Sequence, residues 1–252
     1  MTALDPTPAP TPATSRDSEA NWSKPVDRLT LGAVPSEAIN LNVTGKRLSG
    51  PVQGFGQLWQ KTYAVRLTGT TVTPAEVMSV WKREFASFWP AGARFYAPFT
   101  EIAPGEVGLI NQDVPGRQVL STGVLVIYAD DVSFTFMTPQ GHVFAALITF
   151  SAEPDGDATA AHVSVLLRAS DPFFEALLML GGHGKENQHW RGTLTNLAAR
   201  FGVAGQPTVT ATCIDRKRQW QYASNIRDNA AIRSGLHRMV HPRLWLGRSG
   251  GA

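Results

Sequence analysis

The chain has 252 residues, 43% of them hydrophobic and 17% charged, with a formal net charge of +3 and a single cysteine. That length suffices for a sizeable core, and that balance excludes both a disordered chain and a membrane-embedded one. Cys213 has no intramolecular disulfide partner, and no apolar run approaches the roughly 20 residues that span a bilayer.

Residues 1–21 are rich in Pro, Thr and Ala and bury too little to offset chain entropy, so this arm is expected to be disordered. The opening MTALDPTPAPTPATS lacks the basic start and apolar run of a secretory signal, and a cytoplasmic location is expected, with peripheral membrane contact as an extension of it. Residues 22–56 form an irregular segment punctuated by Gly50-Pro51 and Gly54-Phe55-Gly56.

Residues 57–203 read as one domain. Trp59 to Leu67 alternates with period two: Trp59, Lys61, Tyr63, Val65 and Leu67 share one face, and Gln60, Thr62 and Arg66 the other. Thr73-Pro74-Ala75-Glu76 has the form of a capping box with proline in the first helical position. Val77, Val80, Trp81, Phe85, Phe88 and Trp89 then recur at helical spacing until Pro90. Six further strands are predicted: 94–99, 107–112, 118–128, 132–137, 143–151 and 161–168. They are separated by Pro-Gly, Asp-Asp and Pro-Asp-Gly-Asp breaks that suit an antiparallel meander. Residues 143–150 are apolar on both parities, which suggests a strand covered on both faces. Asp171-Pro172 starts a short apolar helix, Gly181-Gly182-His183-Gly184 interrupts it, and Trp190, Leu194, Leu197 and Phe201 form a continuous stripe on a closing helix.

The fold class expected is therefore α+β: a curved antiparallel sheet of about seven strands gripping a C-terminal helix. This order of strand, helix, six-strand meander and closing helix resembles that of the START/Bet v 1-like (SRPBCC) superfamily over about residues 57–203, without a diagnostic motif. The resemblance implies a chamber between sheet and helix that holds a lipid, sterol, polyketide or other apolar ligand. Since such folds host binders, cyclases and dehydratases alike, an activity does not follow from the fold.

The candidate lining residues are Tyr63, Tyr96, Tyr128, Phe134, Phe136, Leu147, Phe173, Phe174, Trp190 and Leu194, and the same side chains could equally fill a solid core. His142, His162, Arg94 and Arg168 are weak catalytic candidates for a cyclase or dehydratase, with a histidine as acid/base and an arginine as anion anchor. Alternation alone does not say which face of the sheet is inner, so these four could instead face solvent.

No cofactor is implied. His183 and His189 lie six apart, and His237 and His241 are spaced i, i+4, but neither pair brings the three or four ligands of a zinc site. Gly184-Lys185 lacks the remainder of a phosphate loop, and there is no specific nucleic-acid motif. The C-terminal extension, 204–252, carries eight Lys or Arg against two Asp. Arg216, Lys217, Arg218, Arg227, Arg233 and Arg238, with Trp220 and Trp245 among them, suit an acidic protein partner or an anionic membrane surface. A tail folded back on the domain is the plainer alternative.

Overall fold

The computed structural model describes residues 18–240, apart from positions 33, 98 and 115–117. Of the arm 1–21 expected to be disordered, residues 1–17 lie outside the described residues, as do His241 and Trp245, and Glu19–Asn21 form a 3₁₀ turn. Seven strands follow one another as the alternation and turn chemistry predict: β1 (Leu58–Leu67), β2 (Ala93–Tyr96), β3 (Val107–Val114), β4 (Gln118–Ala129), β5 (Ser133–Met137), β6 (Phe144–Asp155) and β7 (Ala158–Ala169). An eighth, β8 (Thr208–Asp215), comes from the C-terminal extension. All neighbours are antiparallel, in the order β2-β3-β4-β5-β6-β7-β1-β8.

The helix α1 (Pro74–Arg83) begins as its capping box requires, with the Thr73 hydroxyl accepting from the Glu76 N–H and the Glu76 carboxylate accepting from the Thr73 N–H. It ends earlier than its apolar spacing suggests, because Phe85–Phe88 tighten into a 3₁₀ turn that carries Phe85 and Phe88 inward. The helix α2 (Pro172–Leu177) is capped by Asp171, whose carboxylate accepts from the Phe174 N–H. A wide π-type turn, Leu178–Gly182, then breaks the helix before α3 (His183–Arg200). Gly181 takes φ 110° in that turn, a conformation that a side chain would strain.

One face of the curved sheet is concave and receives α1 and α3. Tyr63, Val65, Phe134, Phe136, Ile148, Phe150, Val163, Val165 and Leu167 point into this space and meet Val77, Met78, Trp81, Trp190, Leu194 and Leu197. The convex face is covered by the chain's own flanks. Leu29, Ala38 and Val43 of the N-terminal segment pack on Val107, Leu109 and Leu125. The helix α4 (Ala230–Val240) lies against β4, with the Asn42 side chain reaching Ser121, Ala230 and Ser234. Gly141 is required where this extension crosses, since any Cβ there would collide with the Asp228 carbonyl.

Candidate functional site

The concave core is filled by rings. Phe85 stands edge-on to Phe95, Phe134, Phe136 and Phe150, with centroids 4.8–5.5 Å apart. Phe150 also meets Trp81 at 5.3 Å and Trp190 at 5.6 Å. Such pairs each add about 0.5–1.5 kcal/mol beyond their buried area. The indole N–H groups of Trp81 and Trp89 are buried and have no hydrogen-bond partner among the described residues. A donor left unpaired in this way costs about 1–3 kcal/mol relative to one that finds an acceptor.

A polar cluster sits beside this core, where the N-terminal end of α3 crosses β1. Lys61 lies on the buried parity of its strand, and its ammonium donates to Glu186 Oε2 at 2.6 Å and to Asn187 Oδ1 at 3.3 Å. It also lies 3.0 Å from His183 Nδ1, and because an ammonium can only donate, that nitrogen accepts in this contact. All three ammonium protons thus have acceptors. The Tyr63 hydroxyl donates to Asn187 Oδ1 at 2.8 Å. Burial, followed by the Glu186 charge, pushes its pKa well above the ordinary phenol value, so it stays protonated as a donor. The Trp59 ring lies 5.1 Å from that of His183 and closes the outer side.

This arrangement fixes α3 on the sheet. Lys61 and Glu186 are both nearly inaccessible, at 2% and 3% side-chain exposure, so each charge depends on the other for compensation. His189, one turn further along α3, packs between Trp89 and Trp190 at 4.7 Å from each, and loss of solvent lowers its pKa to about 4. Among the described residues no group of three or more His, Cys, Asp and Glu could hold a metal ion.

Of the ten candidate lining residues, Tyr63, Phe134, Phe136, Trp190 and Leu194 belong to the concave core. Tyr96 and Leu147 have the opposite strand parity from their buried neighbours Phe95 and Ile148, and so face the convex side. Tyr128 follows a bulge in the pairing of β4 with β5, packs edge-on to Trp22 at 4.7 Å and donates to Asp130. Phe174 packs beneath α2 with Ala169 and Leu178, and Phe173 is exposed.

The four catalytic candidates are not brought together. Arg94 is exposed and lies 3.9 Å from Asp113. His162 is on the convex parity with Nε2 3.3 Å from Glu153, close enough for an ion pair but not aligned as a hydrogen bond. Arg168, also convex, donates to the carbonyls of Gly56 and Lys217 and to Asp215 at 2.6 Å. His142 sits in the turn before β6 with Nδ1 3.0 Å from both the N–H and the carbonyl of Phe144. The acid/base and charged groups that do meet on the concave side are Lys61, Tyr63, His183 and Glu186. Their signal in the sequence was a lysine on the apolar parity of a strand, which demands a buried partner.

The tail cations divide in the same way. Arg218 pairs with the buried Glu175 at 2.9 Å, and Arg233 donates to Asn42 Oδ1, whereas Arg216, Lys217 and Arg227 stay exposed. No helix among the described residues is long and apolar enough to cross a membrane.

No family model and no curated protein matches the chain. Solved structures similar to it include Ara h 8.0201, at 12% identity and a TM-score of 0.41 over 57% of this chain and 97% of that one. Major latex-like protein 151 from Panax ginseng matches at 10% identity and a TM-score of 0.38, over 57% of this chain and 98% of that one. The di-domain ARO/CYC StfQ from the steffimycin biosynthetic pathway matches at 11% identity and a TM-score of 0.45, over 58% of this chain and 53% of that one. The likeness is one of fold alone.

Proposed function

We propose that this protein binds an apolar small molecule bearing a hydrogen-bond acceptor, such as a ketone or ester oxygen, on the concave face of the sheet. The observation that carries this reading is the pair of unpaired indole N–H donors, Trp81 and Trp89, within a core otherwise made of hydrocarbon rings. Because the rings already fill this space, a ligand would enter as α3 parts from the sheet, its oxygen then satisfying a donor that the folded chain leaves without a partner while the rings supply apolar contact. Entry would occur where the helix breaks at Leu178–Gly182, with Trp59 and the half-buried Phe144 at the rim and Lys61–Glu186 as the clasp that holds α3 closed.

The test is a titration with prodan, a fluorescent naphthyl ketone whose emission reports hydrogen bonding to its carbonyl. Saturable binding is expected, and Trp81→Phe with Trp89→Phe should weaken it about 10-fold, the loss of one neutral hydrogen bond. In the unliganded protein the same changes remove two unsatisfied donors but also part of each ring, so their cost should be well below that of full ring removal. Absence of saturable binding, or affinity indifferent to both indoles, overturns the reading.

A further inference from the structure

The two ends of the sheet differ in charge and in what they expose. One end carries the β6–β7 hairpin, with Glu153, Asp155 and Asp157 close to Arg66 or His162. At the other end β1 begins, β7 and β8 finish, and α2 with its wide turn projects beyond them. Here Leu177, Met179 and Leu180 are exposed, Leu180 by 84% and Met179 by 66%. Trp220 joins them at 74% exposure, held edge-on against Phe55 at 5.1 Å. The segment and the turn are physically linked, since the Arg218 guanidinium pairs with Glu175 of α2 and reaches Met179 Sδ at 3.1 Å.

Cations surround this apolar tip. Lys185, Arg216 and Lys217 are exposed, and among the described residues their side chains form no ion pair. The neighbouring acids all have partners. Asp171 caps α2 and accepts from Asn229, Glu175 pairs with Arg218, Glu186 with Lys61, and Asp215 with Arg168. Cations outnumber acids at this end, so its net field is positive.

We propose that this end docks on a lipid bilayer rich in anionic headgroups, with Leu180, Met179 and Trp220 inserted at the interface and Lys185, Arg216 and Lys217 over the phosphates. Exposed leucine, methionine and tryptophan on a projecting turn, ringed by basic residues, match what an interfacial anchor requires: apolar depth together with electrostatic attraction. Pairing of Glu175, Glu186 and Asp215 with Arg218, Lys61 and Arg168 offsets most of the repulsion that would otherwise oppose an anionic surface. The docking stands independently of ligand binding.

Co-sedimentation of the full chain with vesicles tests this. Binding is expected to phosphatidylcholine vesicles containing phosphatidylglycerol, to weaken as salt rises, and to be slight with phosphatidylcholine alone. Arg216→Ala with Lys217→Ala should reduce it about 25-fold, about fivefold for each cation. Leu180→Ser with Met179→Ser should also weaken it while leaving the salt dependence in place. No binding to the anionic vesicles overturns the proposal. Binding that needs the cations but ignores Leu180 and Met179, and that soluble heparin displaces, also overturns it in favour of an acidic macromolecule. Prodan affinity of the Arg216→Ala, Lys217→Ala variant, measured without vesicles, should match the wild type, so failure of one reading is separable from failure of the other.

Discussion

The concave face of the sheet is closed by helices that follow in chain order and meet it through interlocking rings, whereas the convex face is covered by the chain's two flanks and tied down by polar side chains. On the concave side Phe85, Phe134, Phe136 and Phe150 touch one another directly, and the buried ionic group is Lys61–Glu186 with its neighbours. On the convex side Asn42 bridges Ser121, Ala230 and Ser234, Asn111 holds both polar groups of the Ile39 backbone, and Lys46 reaches Asp228. Ring packing is dense but undirected, and its cost on truncation follows volume. Polar ties are directional and fix where an irregular segment lies. The sheet thus keeps one face suited to apolar contact and uses the other to anchor its extensions.

The largest expected effect is on the concave side. Phe150→Ala removes a ring in contact with Trp81, Phe85, Phe134, Phe136 and Trp190, and should cost about 3–5 kcal/mol in chemical denaturation. The cavity left behind should raise prodan affinity. A loss below about 1 kcal/mol would mean that the rings do not pack as one unit.

The contrast between faces also explains what could be read from the sequence. Strands β1 to β7 were legible because Pro-Gly and Asp-Gly turns separate short runs with period two, and the caps at Thr73 and Asp171 announce their helices directly. The edge strand β8 was not, since almost all of its residues are exposed and burial imposes no alternation on it. Parity identified which residues share a face but not which face is concave. Tyr96 and Leu147 show the difficulty: the convex side is itself covered, so apolar residues occur on both parities. The clasp was half legible. Lys61 stood out on an apolar stripe, but Glu186 is 125 residues away and nothing local ties the two together.

The clasp gives the next effect. Lys61→Met alone strands the Glu186 carboxylate in a dry site and should cost about 3–5 kcal/mol. Lys61→Met with Glu186→Leu removes both charges and should recover most of that loss, since well-packed apolar pairs often equal a buried ion pair. Prodan should associate faster with this double variant if the clasp holds α3 closed. Equal costs for the single and double variants would instead mean that the lysine stem, not the charge pair, stabilises this crossing.

The smallest effect belongs to the seam beneath the C-terminal extension and depends on pH. His142 lies next to Gly141, whose carbonyl accepts from the Ala230 N–H, and the nearby charges are Asp228, paired with Lys46, and Asp171, bonded to Asn229. Loss of solvent lowers the His142 pKa from 6.5 to about 4, against a smaller opposing effect of the Phe144 backbone contact. A depressed histidine pKa means that the unfolded chain binds more protons than the folded one between those values. Stability should therefore be unaffected by this group above about pH 6.5 and fall as pH drops towards 4, by at most about 3 kcal/mol. His189, lowered to about 4 by burial against Trp89 and Trp190, adds a loss of the same sign from the concave side. Urea denaturation of His142→Gln across that range separates the two faces: the variant should lose part of the acid sensitivity, and His189→Gln the remainder. An unchanged pH profile in His142→Gln would show that the turn opens to solvent before its imidazole is protonated, and that the extension is held less firmly there than the Gly141–Ala230 bond implies.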